Sequence, residues 1–153
     1  MPVPIPEYCS SRYMVRVRFG ETDLMGIAHH ATHLLWFEAG RVEYLHRRGI
    51  DYSAWAARGV HLPVVEARLR YRQPARFDER LVVETRLSEL QRVSVRFDYR
   101  ILACEEHVAE RLVAEGSTLL ACIDAGNKPR RIPPEVAAIL VGPETHPREI
   151  DRV

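Results

Sequence analysis

The stretch GETDLMGIAHHATHLLWFEAGR, residues 20–41, gathers three carboxylates, Glu21, Asp23 and Glu38, and three histidines, His29, His30 and His33, around the start of an apolar helical pattern. Side chains of these types move protons, attack electrophilic carbon or bind metals. An aspartate beside glycine also forms turns. The spacing HHATH puts His29 and His33 on one helix face, but it lacks the glutamate of H-E-x-x-H and no third ligand is evident. A metal site is therefore disfavoured, and an acid–base site and a polar loop stay open.

The elements that must position this cluster follow from periodicity. RYMVRVRF, residues 12–19, alternates strictly, with Tyr13, Val15, Val17 and Phe19 on one face and Arg12, Arg16 and Arg18 on the other, a half-buried strand. Gly20 and Gly26 bracket a loop. From His30 to Arg48 the pattern is helical, closed by Gly49, and at 1.5 Å per residue spans roughly 27 Å. Ala31, Leu34, Leu35, Val42 and Leu45 form one stripe on a helical wheel, with Glu38 in its middle and Arg41 at its edge, so Glu38 is expected to make a buried pair with Arg41 or to cap backbone groups. A short helical turn over 51–58 precedes strand-like segments at 62–72, 80–90, 92–103 and 108–123. A short helix entered through proline follows Arg131. The order predicts an α+β domain, an antiparallel sheet of about five strands wrapped around one long central helix.

Composition bounds the function. The 153 residues suffice for one domain with a real core, here expected over 12–141, between a loose leader (1–11) and a tail (142–153). A net charge of +1 argues against nucleic acid as partner. No apolar run approaches the ~18 residues of a membrane span. Cys9, Cys104 and Cys122 are widely spaced and odd in number, as expected of reduced thiols in a cytoplasmic protein.

VRFGETDLMGIAHHATHLLWFEAGR resembles the signature of 4-hydroxybenzoyl-CoA-type hotdog thioesterases: an acidic-x-Asp-x-x-Gly loop, a Tyr/His-rich turn, and a helix with an aromatic-Glu-x-x-Arg stretch. RYRQPARFDERLVVETRL, residues 70–87, is similar to the family's Tyr-x-x-Pro-Ala-x-Phe-Asp segment, and SVRFDYRI, VAEGSTLLACID and NKPRRIP follow in family order. The resemblance covers roughly residues 12–140. It implies the hotdog fold, Asp23 as catalytic carboxylate, Gly26 as the loop glycine, and His30 as the residue whose backbone N–H faces the thioester carbonyl. Arg92 matches an arginine that helps hold CoA phosphate. Glu66 and Arg130 are secondary candidates for substrate contact, with Lys128 and Arg131 as further basic groups nearby. Thr32 and His33 stand where the family commonly has Asn and Tyr, and Glu21 where Asp is usual, which alters the pocket wall.

The implied activity is hydrolysis of an aromatic or short-to-medium-chain acyl-CoA. The ionised Asp23 would act as nucleophile or as general base, and amides at the electropositive helix start would polarise the carbonyl. Acyl-carrier-protein thioesters, 1,4-dihydroxy-2-naphthoyl-CoA and a non-catalytic acyl-CoA binder are the alternatives. No cofactor or metal is called for beyond the CoA of the substrate. Hotdog relatives pair through their sheets, so a homodimer or homotetramer is expected.

Overall fold

The computed structural model describes residues 4–146; positions 1–3 of the leader and 147–153 of the tail lie outside the described residues. Five strands form one sheet: β1 (Ser10–Arg16), β2 (Val64–Tyr71), β3 (Arg80–Leu90), β4 (Ser94–Ala103) and β5 (Arg111–Ala121). All pairs are antiparallel, in the order β1-β3-β4-β5-β2. The helices are α1 (Thr32–His46), α2 (Tyr52–Ala57) and α3 (Pro134–Leu140). β1 and β2 are neighbours in sequence yet occupy opposite edges, so the chain between them, with α1, must cross the sheet.

β4 alternates, with Val95, Phe97, Tyr99 and Ile101 fully buried on one face. The same logic fails on β2, where both faces are largely exposed and only Glu66 and Leu69 are half-buried. β2 is an edge with a bulge between Val64 and Glu66, and its apolar Val64 and Val65 are open. At the other edge, the predicted strand 12–19 ends at Arg16, and Phe19 lies exposed in a 3-10 turn over Phe19–Glu21.

The expected helix face is wrong. Of the stripe Ala31, Leu34, Leu35, Val42 and Leu45, only Leu45 is buried, and Leu35 is 58% exposed. The helix instead presents His33, Trp36, Phe37, Gly40 and Tyr44 to the interior. The Phe37 ring stacks on Tyr99 at 4.4 Å, and Tyr44 meets Phe97 edge-on at 5.3 Å. Aromatic surface and a glycine notch outweigh the leucines, because two stacked rings bury more area than the branched aliphatics on the other side. Glu38 is consequently exposed and not paired with Arg41, which instead donates to the Tyr99 hydroxyl at 3.1 Å. The buried ion pair of this helix is Glu43–Arg47, at 3.2 Å.

The close of α1 follows the sequence reading. Gly49 adopts φ +77, and the N–H groups of Gly49 and Ile50 bond back to the carbonyls of His46 and Leu45. This is the two-bond glycine cap of a helix end. The termini of the described chain are part of the same packing. Cys9 is fully buried, the Tyr44 hydroxyl donates to the Leu140 carbonyl at 2.6 Å, and Arg48 donates to the carbonyls of Gly142 and Tyr8.

Gly40 is where α1 comes nearest the sheet. A Cβ there would lie 2.5 Å from Thr85 Oγ1 and 2.7 Å from Val83 Cγ1, both on stiff β-branched side chains of β3. Alanine would gain up to about 1 kcal/mol in helix propensity. Overpacking costs typically ~1–3 kcal/mol, so the clash wins. Gly40→Ala is expected to lower the urea midpoint of unfolding; an unchanged or raised midpoint would contradict this packing.

Candidate active site

The loop between β1 and α1 is pinned from two sides. Glu21 is its anchor: one carboxylate oxygen accepts the Arg18 N–H at 2.7 Å, the other accepts Trp36 Nε1 of α1 at 3.2 Å. The Glu21 carbonyl receives the His29 N–H at 2.7 Å. On the far side, the segment after β2 runs along the loop, with Ala28 N–H bonding to the Ala75 carbonyl at 2.7 Å and Phe77 N–H to the Gly26 carbonyl at 3.4 Å. Pro74, which lacks an N–H, ends the β2 ladder and frees this segment to turn onto the loop.

Asp23 sits at the tip. Its N–H bonds to the Ile27 carbonyl at 2.9 Å, its own carbonyl accepts the Gly26 N–H at 3.0 Å, and Gly26 adopts φ +75. Its side chain is exposed, and Oδ1 accepts the Met25 N–H at 2.8 Å. The turn-forming role of an aspartate is therefore real here. It occupies one oxygen; Oδ2 has no donor among the described residues.

Asp23 borders two hollows. One, of about 410 Å³, is lined by Asp23, Ile27, His30 and His33 from the loop and helix start, and by Tyr71 to Pro74 from the end of β2 and the segment after it. The other, of about 600 Å³, has the exposed apolar side chains Phe19, Leu24 and Phe77 in its wall. Both volumes suit a small organic ligand.

His30 lies in the turn before α1. Its neighbours are engaged: Ala28 N–H with Ala75, His29 N–H with Glu21, Ala31 N–H with His29 Nδ1 and Thr32 N–H with the His29 carbonyl. The His30 N–H has no acceptor among the described residues. The Tyr71 hydroxyl donates to the His30 carbonyl at 2.5 Å and so holds this turn against the cavity wall. An uncommitted amide on the wall that also holds a free carboxylate oxygen can receive a carbonyl while the carboxylate addresses its carbon or an attacking water.

His33, read from the sequence only as an altered wall residue, is 3% exposed and lines the same cavity. Trp36 and Tyr71 hold its ring edge-on at 5.0 and 4.9 Å. Burial lowers its pKa below the ordinary 6.5, opposed by the nearby His30 and His29 carbonyls, so the ring is neutral at pH 7. Those carbonyls do not complete a bond of good geometry, and Nδ1 is sealed from solvent without a partner. An unmet buried donor or acceptor costs about 1–3 kcal/mol. Among the described residues no three metal-binding side chains converge, and His29 is turned to its own loop.

The remaining candidates are not brought together with Asp23 in one chain. Glu66 pairs with Arg68 at 2.7 Å and Arg96 at 3.9 Å. Arg130 donates to the Gly59 carbonyl at 2.8 Å and the Arg58 carbonyl at 3.3 Å, closing α2. Lys128 is exposed. Arg92 and Arg131 line a separate hollow of about 640 Å³ against α3. Tyr71 and Ile101 share the row of Ala114, whereas Ser94, beside Arg92, pairs with Ala121, seven residues further along β4. At ~3.3 Å per residue that is roughly 23 Å. The Tyr71 to Pro74 segment is legible in the sequence as a strand broken by proline; what sequence reasoning missed is that it lines the Asp23 cavity.

Residues 17–140 match the thioesterase-like superfamily. A putative esterase of Synechocystis is 36% identical over 124 residues, 80% of this chain and 74% of that protein. The acyl-CoA thioester hydrolase YbgC of Escherichia coli O6:H1 is 30% identical over 128 residues, 83% of this chain and 92% of that one. A hypothetical protein of Thermus thermophilus, known from its crystal structure, superposes with a TM-score of 0.76 at 42% identity, covering 85% of this chain and 96% of that one.

The buried neutral His33 has a thermodynamic signature. Its folded pKa lies below the unfolded value near 6.5, so the unfolded chain takes up the proton first. Its contribution is fully present above pH 6.5 and is lost as pH falls from there through the folded pKa. The stability difference between wild type and His33→Phe should thus shift against wild type on acidification from pH 7 to 5, read by urea unfolding. A pH-independent difference would contradict it.

Proposed function

The chain belongs to the thioesterase-like superfamily and is a thioester hydrolase, and we propose that it cleaves an acyl-CoA with Asp23 as the catalytic carboxylate. The observation that carries this reading is the pairing of Asp23, with one oxygen free, and the uncommitted His30 N–H on the wall of one cavity. A thioester carbonyl is already activated, because sulfur donates poorly into it. With the carbonyl oxygen on the His30 amide, Asp23 either attacks the carbon or takes a proton from a water that does. In the first route the C–S bond breaks to release CoA thiolate and leave a mixed anhydride, which water then opens to the acid and Asp23. In the second, water adds directly and thiolate leaves. A well-placed amide stabilises the oxyanion by about 3 kcal/mol. The two hollows on either side of Asp23 give the two arms of a thioester separate places. Gly26, at φ +75, permits the tight turn that presents the carboxylate.

The CoA end calls for a second copy. Arg92 lies toward the far end of the sheet from Asp23 and lines a hollow separate from the Asp23 cavity. β2 is an open edge with exposed Val64 and Val65. Antiparallel pairing of two β2 strands about a two-fold axis would cover this edge and set the end of one β2, beside Asp23, against the start of the other. That brings the partner's Arg92 end to the Asp23 end. In this dimer, or a tetramer built from it, Arg92 would hold a CoA phosphate, with Arg131 alongside it in the same hollow. Glu66 and Arg130 are engaged within the chain and are given no direct role.

Asp23→Asn should lower kcat for release of free CoA thiol on the order of 10²–10⁴-fold while leaving the unfolding midpoint near wild type. Substantial retained turnover would overturn the assignment. Arg92→Ala should raise KM roughly tenfold with kcat little changed. Sedimentation showing a monomer that is active at full rate would overturn the shared site.

A further inference from the structure

His33 lines the cavity, and the proposed hydrolysis does not use its chemistry. Its ring is locked between Trp36 and Tyr71, which leaves it no room to swing out to water. Neither ring nitrogen has a well-formed hydrogen bond to the described residues. A histidine placed only for packing would be replaced at no loss by an apolar ring, since a buried polar atom without a partner opposes folding. The sealed atom is Nδ1. The other ring nitrogen, Nε2, also has no partner among the described residues and belongs to a residue of the cavity wall, where a ligand can complete it.

We propose that His33 is a specificity-determining residue that reads a hydroxyl on the acyl group of the substrate. Resting on the hydrolase reading above, this assigns the chemistry of the acyl arm. The ring interacts with the His30 and His29 carbonyls, which can only accept, and we place the proton they attract on the sealed nitrogen, Nδ1. The neutral ring then offers Nε2 as an acceptor. A carboxylated acyl group, which brings only acceptors, finds no donor there, and a plain hydrocarbon leaves the nitrogen unmet. An acyl group with a hydroxyl donor satisfies it. Phenol and aliphatic hydroxyl are both donors of the right kind, so the discrimination is hydroxylated against unsubstituted, not aromatic against aliphatic. Such polar recognition discriminates more sharply than hydrophobic fit, because the wrong substrate leaves a buried group unpaired.

The test compares matched pairs, 4-hydroxybenzoyl-CoA with benzoyl-CoA and 3-hydroxybutyryl-CoA with butyryl-CoA, in wild type and His33→Phe. Wild type should favour the hydroxylated member of at least one pair by roughly tenfold or more in kcat/KM, the worth of one such bond. His33→Phe should reduce that ratio to near one, chiefly through the hydroxylated member. Equal loss on both members, or a preserved ratio, overturns the inference and leaves the hydrolase reading standing. To separate the two readings further, the Kd of each thioester is measured on Asp23→Asn protein, where no turnover is required. The same preference in Kd supports His33 even if the catalytic assignment fails, and its absence counts against it. Should His33→Phe not fold, ¹⁵N-histidine spectra of the otherwise wild-type Asp23→Asn chain decide. A shift of the His33 Nε2 resonance with the hydroxylated thioester alone supports the proposal, and no difference between pair members overturns it.

Discussion

The close approach of α1 to the sheet at Gly40 is the constraint on which the rest depends. With no side chain there, the helix sinks onto Val83 and Thr85, and Phe37 lies flat on Tyr99. That depth places the helix start, and with it the His30 turn, against the end of β2. A helix lifted by one methyl group would carry Trp36 away from Glu21 and loosen the loop that bears Asp23. The site is thus an outcome of core packing as much as of the residues that line it.

Electrostatics at the site are set by what is left unbonded. Among the described residues, three groups without a partner belong to one cavity: one oxygen of Asp23, the N–H of His30 and the ring of His33. Glu21 shows the opposite case. Both of its oxygens are committed to Arg18 and Trp36, so the acid that is nearest Asp23 in sequence is a tie rather than a reagent. Tyr71 has a related part, since its hydroxyl holds the His30 carbonyl while its ring holds His33. One side chain at the end of the edge strand therefore orders both the amide and the imidazole of the cavity.

Much of the fold was legible before any coordinates. The strands β3, β4 and β5, the glycine stop of α1 and the short α2 and α3 all lie close to their expected places, because each is signalled by local periodicity or by a turn residue. The Asp23–Gly26 loop was legible for the same reason, and the superfamily resemblance carried by its motif holds over residues 17–140. The buried face of α1 was not. A wheel counts apolar residues, and by that count Leu34, Leu35 and Val42 outscore a face containing His33 and Gly40. The glycine in mid-helix was the available clue, since a residue so unfavourable there marks a close approach.

What the sequence by itself determined is the order of the elements, the antiparallel α+β architecture and the carboxylate loop set before a helix, because these arise from contacts among near neighbours. Only the tertiary structure decided which side of α1 meets the sheet, that Glu38 faces outward, that Glu66 and Arg130 are engaged elsewhere, and that the segment after β2 forms a wall of the Asp23 cavity. Those are agreements between residues tens of positions apart. They are settled by which aromatic rings and backbone notches fit together, information that is distributed over the whole sheet rather than written in any one stretch.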